Sequence, residues 1–223
     1  MLKKLENITL IGLDCVNIDR ALLSFKICEH YCDFQEKILL THFINYDQVT
    51  ETNIKLIKID PVLSLSQYSF FVIKELGKYI KTDFMLIVQY DGFILNPNAW
   101  STDFLKYDYI GAPWAYNTHN VGNGGFSLRS KKLSDFIQKD PLIEKRLYIK
   151  KGFRGILLED DVICREFREY LEDNGFTFAP NEVARQFSFE GKRGKPSVWD
   201  GQFGFHSLKR TNLTKWKDKN LFF

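Results

Sequence analysis

The chain lacks the features that mark several other classes of protein. No stretch of its 223 residues reaches the roughly 18 consecutive apolar residues of a membrane-spanning helix. Met1 to Glu6 lead into a short strand rather than into the apolar region of a signal peptide. No internal repeat or low-complexity tract interrupts the chain. These absences, with 44% hydrophobic and 15% aromatic residues to fill a core, predict a globular cytoplasmic protein.

Cysteine is scarce and shows no disulfide-framework spacing. The 4 cysteines are Cys15, Cys28, Cys32 and Cys164. Cys28 and Cys32 are predicted to be i,i+4 neighbours on a helix, which favours reduced thiols. A zinc site built from Cys28, His30 and Cys32 is disfavoured because His30 would project from another face of that helix.

The net charge is small, but basic residues are concentrated near the C-terminus. The net charge is +3, and the basic residues of the last part of the chain are interleaved with aromatic residues: Lys192, Arg193, Lys195, Lys209, Arg210, Lys215, Lys217 and Lys219, with Trp199, Trp216, Phe222 and Phe223. Such a tail can contact an anionic membrane surface, or it can be a solvated terminus with docked aromatics. No nucleic-acid-binding motif accompanies it, so no nucleic-acid partner is predicted.

The pattern along the chain predicts one α/β domain over 1–223. Residues 1–92 alternate strand and helix patterns and form a nucleotide-binding half, residues 93–207 form an acceptor and catalytic half, and 208–223 form the basic aromatic tail. The predicted strands are Ile8 to Leu13, Lys37 to Phe43, Ile54 to Ile59, Phe84 to Gln89, Tyr107 to Gly111 and Phe126 to Arg129. Helices are predicted from Asp19 to Cys32, from Ser66 to Ile80, from a Ser130 cap to Ile137, and from Asp160 to a stop at Gly175.

Four polar segments interrupt this otherwise apolar pattern. They are Gln89-Tyr90-Asp91-Gly92, Gly122-Asn123-Gly124-Gly125, Glu159-Asp160-Asp161 and Phe205-His206. The first follows a buried strand directly, and ligands of open α/β sheets bind just outside the carboxyl ends of strands. The four segments together predict one divided active site.

Asp91 is the strongest candidate metal ligand of the chain. Hard divalent cations prefer carboxylate oxygen, and manganese also accepts imidazole, so Asp91 and His206 could form a ligand pair. Gln89 is two residues from Asp91 and shares its strand face, so its carbonyl could support a ligand, a metal-bound water or a ribose hydroxyl. Taken alone, Asp91 before Gly92 is more typical of a turn than of a metal ligand.

The other two segments suggest a substrate-binding loop and an acid/base group. Gly124 and Gly125 allow close backbone approach to a sugar or phosphate, although the loop is neither a GxGxxG motif nor a P-loop. Glu159, Asp160 and Asp161 stand at a helix start, where acidic residues are ordinary capping groups. The apolar lead-in before them suggests carboxylates turned toward the interior, where one could accept a proton from a hydroxyl.

These motifs resemble those of known glycosyltransferases. The order Gln89-x-Asp91-Gly92, Gly122-Asn123-Gly124-Gly125-Phe126, Glu159-Asp160-Asp161 and Phe205-His206 is similar to the GT-A plan of DxD, glycine-rich loop, xED and C-terminal histidine. With Asp108-Tyr109-Ile110-Gly111-Ala112-Pro113-Trp114, it resembles more narrowly a bacterial and viral domain-of-unknown-function family related to galactose- and galactofuranose-adding enzymes. The resemblance implies a GT-A-like fold with a mixed, mostly parallel central sheet flanked by helices and a Rossmann-like N-terminal half.

The resemblance also implies roles for individual residues. Asp91 and His206 would bind Mn²⁺ or Mg²⁺, Asp160 would be the base of an inverting transfer, and Glu159 and Asp161 would orient hydroxyls. Gln89, Gly124 and Gly125 would contact the donor, and Asp14, after the first strand, the base or ribose of a UDP-sugar. Gln89 replaces the first Asp of DxD, which weakens the case for strict metal dependence.

The predicted activity is therefore sugar transfer from a nucleotide sugar to a saccharide or lipid-linked saccharide acceptor. Two alternatives remain open from the residues. A metal-dependent nucleotide-sugar hydrolase or phosphodiesterase would need the same metal ligands and a carboxylate base. A non-catalytic sugar-binding module is the second alternative, and it is compatible with Gln89 in place of the first Asp of DxD.

Overall fold

The computed structural model of the protein describes residues 2–43, 53–116, 118–149, 156–190 and 199–207. The predicted membrane-contacting tail from Lys209 to Phe223 lies outside these residues, so the expected contact with anionic membranes stays a prediction. No helix in the described ranges has both the length and the apolar character needed to cross a bilayer. All four cysteines are buried as free thiols, which confirms the expectation of reduced thiols.

The N-terminal half alternates strands and helices as predicted. Its elements are β1 (Lys3–Leu13), α1 (Ile18–Tyr31), β2 (Cys32–Thr41), β3 (Lys55–Lys58), α2 (Leu65–Lys74), a 3-10 turn (Leu76–Tyr79) and β4 (Phe84–Val88). Asn17 caps α1 by accepting a hydrogen bond from the Arg20 amide, and Ser64 caps α2 in the same way through Gln67.

The second half adds shorter elements. They are β5 (Gly92–Ile94), two 3-10 turns (Pro97–Ala99 and Thr102–Lys106), β6 (Tyr109–Gly111), β7 (Phe126–Ser130), α3 (Lys131–Lys139), α4 (Pro141–Leu147), α5 (Glu159–Asp161), a π-helical turn (Val162–Glu166), α6 (Arg168–Asp173), α7 (Asn181–Phe187), β8 (Ser188–Glu190) and β9 (Gly204–His206). Ser130 caps α3 as predicted, by accepting a hydrogen bond from the Leu133 amide.

A six-stranded sheet organises these elements in the order β3-β2-β1-β4-β7-β6. The pairs among β1, β2, β3 and β4 are parallel, whereas β7 is antiparallel to both β4 and β6. The expected mixed, mostly parallel α/β sheet flanked by helices is confirmed. Because β1 and β4 are parallel neighbours, the residues that follow them, Asp14 and Gln89, lie at the same edge of the sheet.

A second sheet of three short strands, in the order β5-β9-β8, lies next to this edge. Gly92 of β5 pairs with His206 of β9, and His206 pairs in parallel with Glu190 of β8. Phe93 and Phe205 pack edge to face, with ring centroids 4.7 Å apart, in the buried core. The small sheet therefore holds the C-terminal histidine beside the turn that carries Asp91.

Three predicted helices end or bend earlier than expected. The helix predicted through Cys32 ends at Tyr31, because Cys32 is extended and pairs with Lys3 of β1; Cys28 and Cys32 therefore do not share a helical face. The helix predicted through Ile80 ends at Lys74, and a Cβ atom on Gly77 of the following turn would lie 2.6 Å from Ser134 Oγ. This close approach of α3 leaves no room for a side chain there.

The helix predicted from Asp160 is interrupted by the π-helical turn before it resumes as α6. The predicted stop at Gly175 is confirmed, since Gly175 has φ of +83°. In the sequence, the apolar stripe of Ile163, Phe167 and Leu171 resembles that of one straight helix, which is why the interruption was not predicted.

Candidate active site

Gln89, Asp91 and His206 converge although 117 residues separate the first from the last. Gln89 follows the last residue of β4, Asp91 lies in the turn before β5, and His206 ends β9. His206 Nε2 is 3.2 Å from Gln89 Oε1 and 3.3 Å from Asp91 Oδ1. The amide of Ser207 donates a hydrogen bond of 2.8 Å to the Asp91 carbonyl oxygen, which ties the end of β9 to this turn.

These three side chains fit a small oxygen- and nitrogen-liganded cation. Asp91 Oδ1 is buried and has no well-aligned hydrogen bond within the described part of the chain, so a buried acceptor is left to be satisfied. At a metal–ligand distance of about 2.1 Å, adjacent ligands of an octahedral ion are about 3 Å apart, close to the observed separations. The described residues contain no group of three or more His, Cys, Asp or Glu side chains arranged to hold a metal. The Gln89 carbonyl would have to complete the set.

Two opposing effects act on the pKa of His206. Burial lowers it, but the neighbouring Asp91 carboxylate raises it, with smaller contributions from Glu190 and Asp160. The pKa of His206 therefore lies above its ordinary value, as expected for an imidazole surrounded by carboxylates.

The glycine-rich loop lies between this cluster and the acidic segment. The Gly125 carbonyl accepts a hydrogen bond of 3.0 Å from the Gln89 amide, and the Gly124 amide donates one of 3.0 Å to Asp160 Oδ2. A Cβ atom on Gly124 would lie 2.3 Å from Glu159 Oε1. The loop thus brings all four polar segments together, and the contacts on either side exclude side chains from it.

Gly125 provides a direct test of this packing. A Cβ atom there would lie 2.1 Å from His206 Nε2, so Gly125→Ala is expected to displace the imidazole and to lower the free energy of unfolding by about 1–3 kcal/mol. Urea unfolding and the His206 ring signals in NMR spectra measure the two effects. Gly175→Asn is the matched control, because Gly175 has nothing within 4 Å of its Cβ position and Asn tolerates its positive φ. An unshifted His206 ring in Gly125→Ala would contradict the packing described here.

Asp160 and Glu159 occupy different environments at the start of α5. Glu159 is 4% exposed, and its Oε1 atom is 3.0 Å from Arg129 Nη2. Its Oε2 atom accepts a hydrogen bond of 3.3 Å from Ser69 Oγ. Because both oxygens of Glu159 are engaged within the protein, its expected contact with a substrate hydroxyl stays a prediction.

Asp160 is half-buried and accepts hydrogen bonds from the Gly124 and Asp161 amides. Burial, and then the charge of Glu159, raise the pKa of Asp160 to about 7. The two amide hydrogen bonds and Arg129 oppose this rise without cancelling it. A carboxylate whose pKa lies near neutrality suits a general base, since both its protonation states are accessible at working pH.

Asp161 faces a different group of side chains. It forms an ion pair of 2.8 Å with Arg165, whose guanidinium stacks 3.9 Å from the centre of the Tyr116 ring. Trp114 packs edge to face against Tyr116 at 5.8 Å. His119, in the same loop, has φ of +46°. Its expected place in an acceptor pocket stays a prediction, as does the role of Asp161.

A cavity of about 290 Å³ opens beside the cluster, between the ends of β1 and β4. Its lining includes Asp14, Gln89, Tyr68 and Tyr90 together with apolar residues. Asp14 Oδ1 accepts hydrogen bonds from the amides of Val16 and Asn17 at 2.7 and 2.6 Å, so one of its oxygens already stabilises the turn before α1. Asp14 and Gln89 therefore border one cavity.

Sequence reasoning missed several residues that shape this site. Arg129 occurs in the motif of the glycine loop, and a charged residue inside an apolar strand was an available signal of a buried ion pair. Tyr68 borders the cavity, and burial is the main cause that raises its pKa above the ordinary value, followed by the charge of Glu159. Ser69 and Glu190 carry no signal in the sequence, because only the packing of α2 and β8 brings them to the site.

Three similar solved structures are glycosyltransferases of the GT-A type. One match covers 96% of this chain and 94% of an active-site mutant of LgtC, at 15% identity and with a TM-score of 0.54. A second match covers 96% of this chain and 98% of a glycosyltransferase involved in the glycosylation of the major capsid of PBCV-1, at 13% identity and a TM-score of 0.53. At these identities the likeness establishes the fold.

A third similar structure is the glycosyltransferase GlyE of Streptococcus pneumoniae TIGR4, at 14% identity and a TM-score of 0.53. The match covers 82% of this chain but only 46% of GlyE, so the chain spans about half the length of that enzyme. No curated protein sequence matches the chain.

A family model matches residues 51–206, and its description is "Protein of unknown function (DUF5672)". The match contains three elements of the candidate site: the Gln89–Asp91 turn, the glycine loop and the acidic segment. It ends at His206, the last of the four predicted polar segments. The chain therefore belongs to the DUF5672 family, and it has the fold of GT-A glycosyltransferases.

Proposed function

We propose that the protein is a glycosyltransferase that moves a sugar from a UDP-sugar to a saccharide or lipid-linked saccharide acceptor, with inversion at the anomeric carbon. One observation carries the proposal. The Gln89, Asp91 and His206 cluster and the half-buried Asp160 lie on opposite sides of a glycine loop, beside a cavity at the carboxyl edge of the sheet. The glycosyltransferase fold of the similar structures supports it.

The cavity between β1 and β4 suits the nucleoside of the donor. Its volume of about 290 Å³ is close to the lower end of ligand sites, and its lining combines apolar side chains with a few polar groups. Asp14 would bind the ribose or base through the carboxylate oxygen that the turn does not use. The diphosphate would then extend past Gln89 toward Asp91, Gly124 and Gly125.

Asp91 and His206, with the Gln89 carbonyl, would hold Mn²⁺ or Mg²⁺ at this point. The bound cation would neutralise the negative charge that develops on the departing diphosphate. Without it, Asp91 brings a buried carboxylate oxygen next to an anionic ligand, which is unfavourable. The buried and unsatisfied Asp91 oxygen therefore supports a cation between protein and donor.

Asp160 would act as the general base. It would take the proton of the acceptor hydroxyl while that oxygen attacks C1 of the sugar, and the bond between C1 and the diphosphate oxygen would break to release UDP. The products are a glycoside, UDP and one proton. A water molecule in place of the acceptor would make the protein a nucleotide-sugar hydrolase, so the presence of an acceptor decides between the two activities.

A panel of nucleotide sugars tests the proposal, with thermal unfolding measured with and without Mn²⁺. A donor present at about 100 times its Kd is expected to stabilise the fold by about 2.7 kcal/mol. UDP release with the identified donor is then followed with and without saccharide acceptors. Acceptor-dependent release supports the transferase, donor-only turnover supports the hydrolase, and saccharide binding without turnover supports a binding module.

Asp91→Ala is expected to remove the effect of Mn²⁺ on donor binding. Mutation of an outer-shell partner of a metal ligand typically weakens metal binding by about 10–100-fold. Loss of the carboxylate ligand itself should therefore weaken Mn²⁺-dependent UDP-sugar binding by at least that factor. Calorimetry in Mn²⁺ and in chelator measures it. Asp103→Ala is the control, since Asp103 forms an exposed pair with Lys106. Equal donor affinity in all of these conditions would exclude the metal role of Asp91.

A further inference from the structure

Glu190 stands beside His206 in the three-stranded sheet. The parallel register of β8 and β9 pairs Glu190 with His206 directly, and paired residues of neighbouring strands project from the same face. Both side chains are 15% exposed. The short strand β8 therefore brings a carboxylate to the side of His206 opposite Asp91.

The two ring nitrogens of His206 face different groups. Nε2 points to Asp91 Oδ1 and Gln89 Oε1 at 3.3 and 3.2 Å. Nδ1 is buried and makes no hydrogen bond within the described residues, and Glu190 Oε1 lies 3.9 Å from it. This distance is longer than a hydrogen bond, but a small change in the Glu190 side-chain torsions would close it. Hydrogen bonds of active sites are often long in the absence of substrate.

The chemistry of a histidine ligand explains why Nδ1 needs an acceptor. A cation can bind only the unprotonated nitrogen, so when Nε2 is the ligand the single ring proton must be on Nδ1. Histidine ligands almost always donate that proton to a carboxylate, a backbone carbonyl or water, which fixes the tautomer and the orientation of the ring. Glu190 is the carboxylate placed to accept it.

We propose that Glu190 is the positioning residue of His206: it accepts the Nδ1 proton and keeps Nε2 directed toward Asp91 and Gln89. The proposal rests on the metal role of His206 in the proposed function. The tautomer of the His206 ring depends only on the protein and its bound cation, so it can be measured without donor or acceptor.

The test compares Glu190→Ala, Glu190→Gln and wild type with Mn²⁺ alone as the probe. Glu190→Ala is expected to weaken Mn²⁺ binding by about 10–100-fold in calorimetry, the usual scale for outer-shell partners. Glu190→Gln keeps a carbonyl acceptor at the same reach and should recover most of the affinity. Glu182→Ala, an exposed position at the start of α7, should leave it unchanged. If Glu190→Ala does not fold, Glu190→Met supplies an acceptor-free side chain of similar length.

The ring nitrogens of His206 provide the second readout. In ¹⁵N NMR spectra with diamagnetic Zn²⁺, which binds imidazole as well as oxygen ligands, wild type should hold one tautomer with the proton on Nδ1, whereas Glu190→Ala should give averaged shifts. Wild-type Mn²⁺ affinity and wild-type ring shifts in Glu190→Ala would overturn the proposal. If the wild type itself binds no cation, the metal role fails, and the ring shifts of the metal-free proteins decide: identical shifts in wild type and Glu190→Ala overturn the positioning role, and different shifts support it.

Discussion

Asp160→Asn is expected to bind donor nearly as well as wild type and to lose sugar transfer by roughly 100-fold or more, the scale of a deleted general base. The substitution keeps the size of the side chain but removes its proton affinity. Asp173→Asn, an exposed position at the end of α6, is the matched control. Steady-state UDP release and donor calorimetry separate chemistry from binding. Near-normal transfer by folded Asp160→Asn would exclude Asp160 as the base.

The pH dependence provides a second test of Asp160. Because the pKa of Asp160 is about 7, its ionised fraction rises with pH, so wild-type transfer should increase about tenfold per pH unit below pH 7 and level off above it. The residual activity of Asp160→Asn should lack this rise.

An inverting enzyme must also convert an α-linked donor into a β-glycoside, and an α-linked product would contradict the mechanism.

The same pKa predicts how stability depends on pH. In the unfolded chain Asp160 releases its proton near pH 4, whereas in the fold it keeps it up to about pH 7. The folded state therefore binds more protons between these values, so wild type should lose stability relative to Asp160→Asn as pH rises from about 4 to 7. Urea unfolding at several pH values measures the difference. If the difference in stability between wild type and Asp160→Asn does not change with pH, the pKa of folded Asp160 is at its ordinary value.

Arg129→Met is expected to lower the free energy of unfolding by about 3–5 kcal/mol, because it leaves the buried Glu159 carboxylate without its partner. The side chains of the pair are only 3% and 6% exposed. Arg129 also stacks 4.7 Å from the centre of the buried Tyr109 ring. Lys131→Met, in the partly exposed pair with Asp135, should cost at most about 1 kcal/mol.

The double variant Arg129→Met with Glu159→Met separates charge from packing. If the loss comes from an uncompensated charge, the double variant should be more stable than Arg129→Met alone. Equal or lower stability of the double variant would show that Arg129 contributes through its packing. Arg129 also lowers the pKa of Asp160, so any folded Arg129→Met should require higher pH for full activity.

The alternating strand and helix patterns of the first ninety residues correctly predicted the order of β1 to β4. Their apolar periodicity depends only on neighbouring residues, as do the Ser130 cap and the Gly175 stop. Helix ends were less predictable. The helix ending at Tyr31 gives way to the pairing of Cys32 with β1, and the turn after Lys74 packs against α3. Cys164 of the π-helical turn lies against Gly122 of the glycine loop. A local pattern contains none of these contacts.

The sequence by itself determined which chemical groups the site contains: a carboxylate after β4, two adjacent glycines, an acidic helix start and a histidine near the end of β9. Each is a residue type that interrupts an apolar pattern, so it is visible without coordinates. Only the tertiary structure decided their partners. Strand pairing brings Glu190 to His206, and helix packing brings Ser69 to Glu159. Burial, and then the charge of Glu159, raise the pKa of Asp160 above its ordinary value. The strand pairing, the helix packing and the burial of Asp160 all come from contacts between residues far apart in the chain, and folding alone sets those contacts.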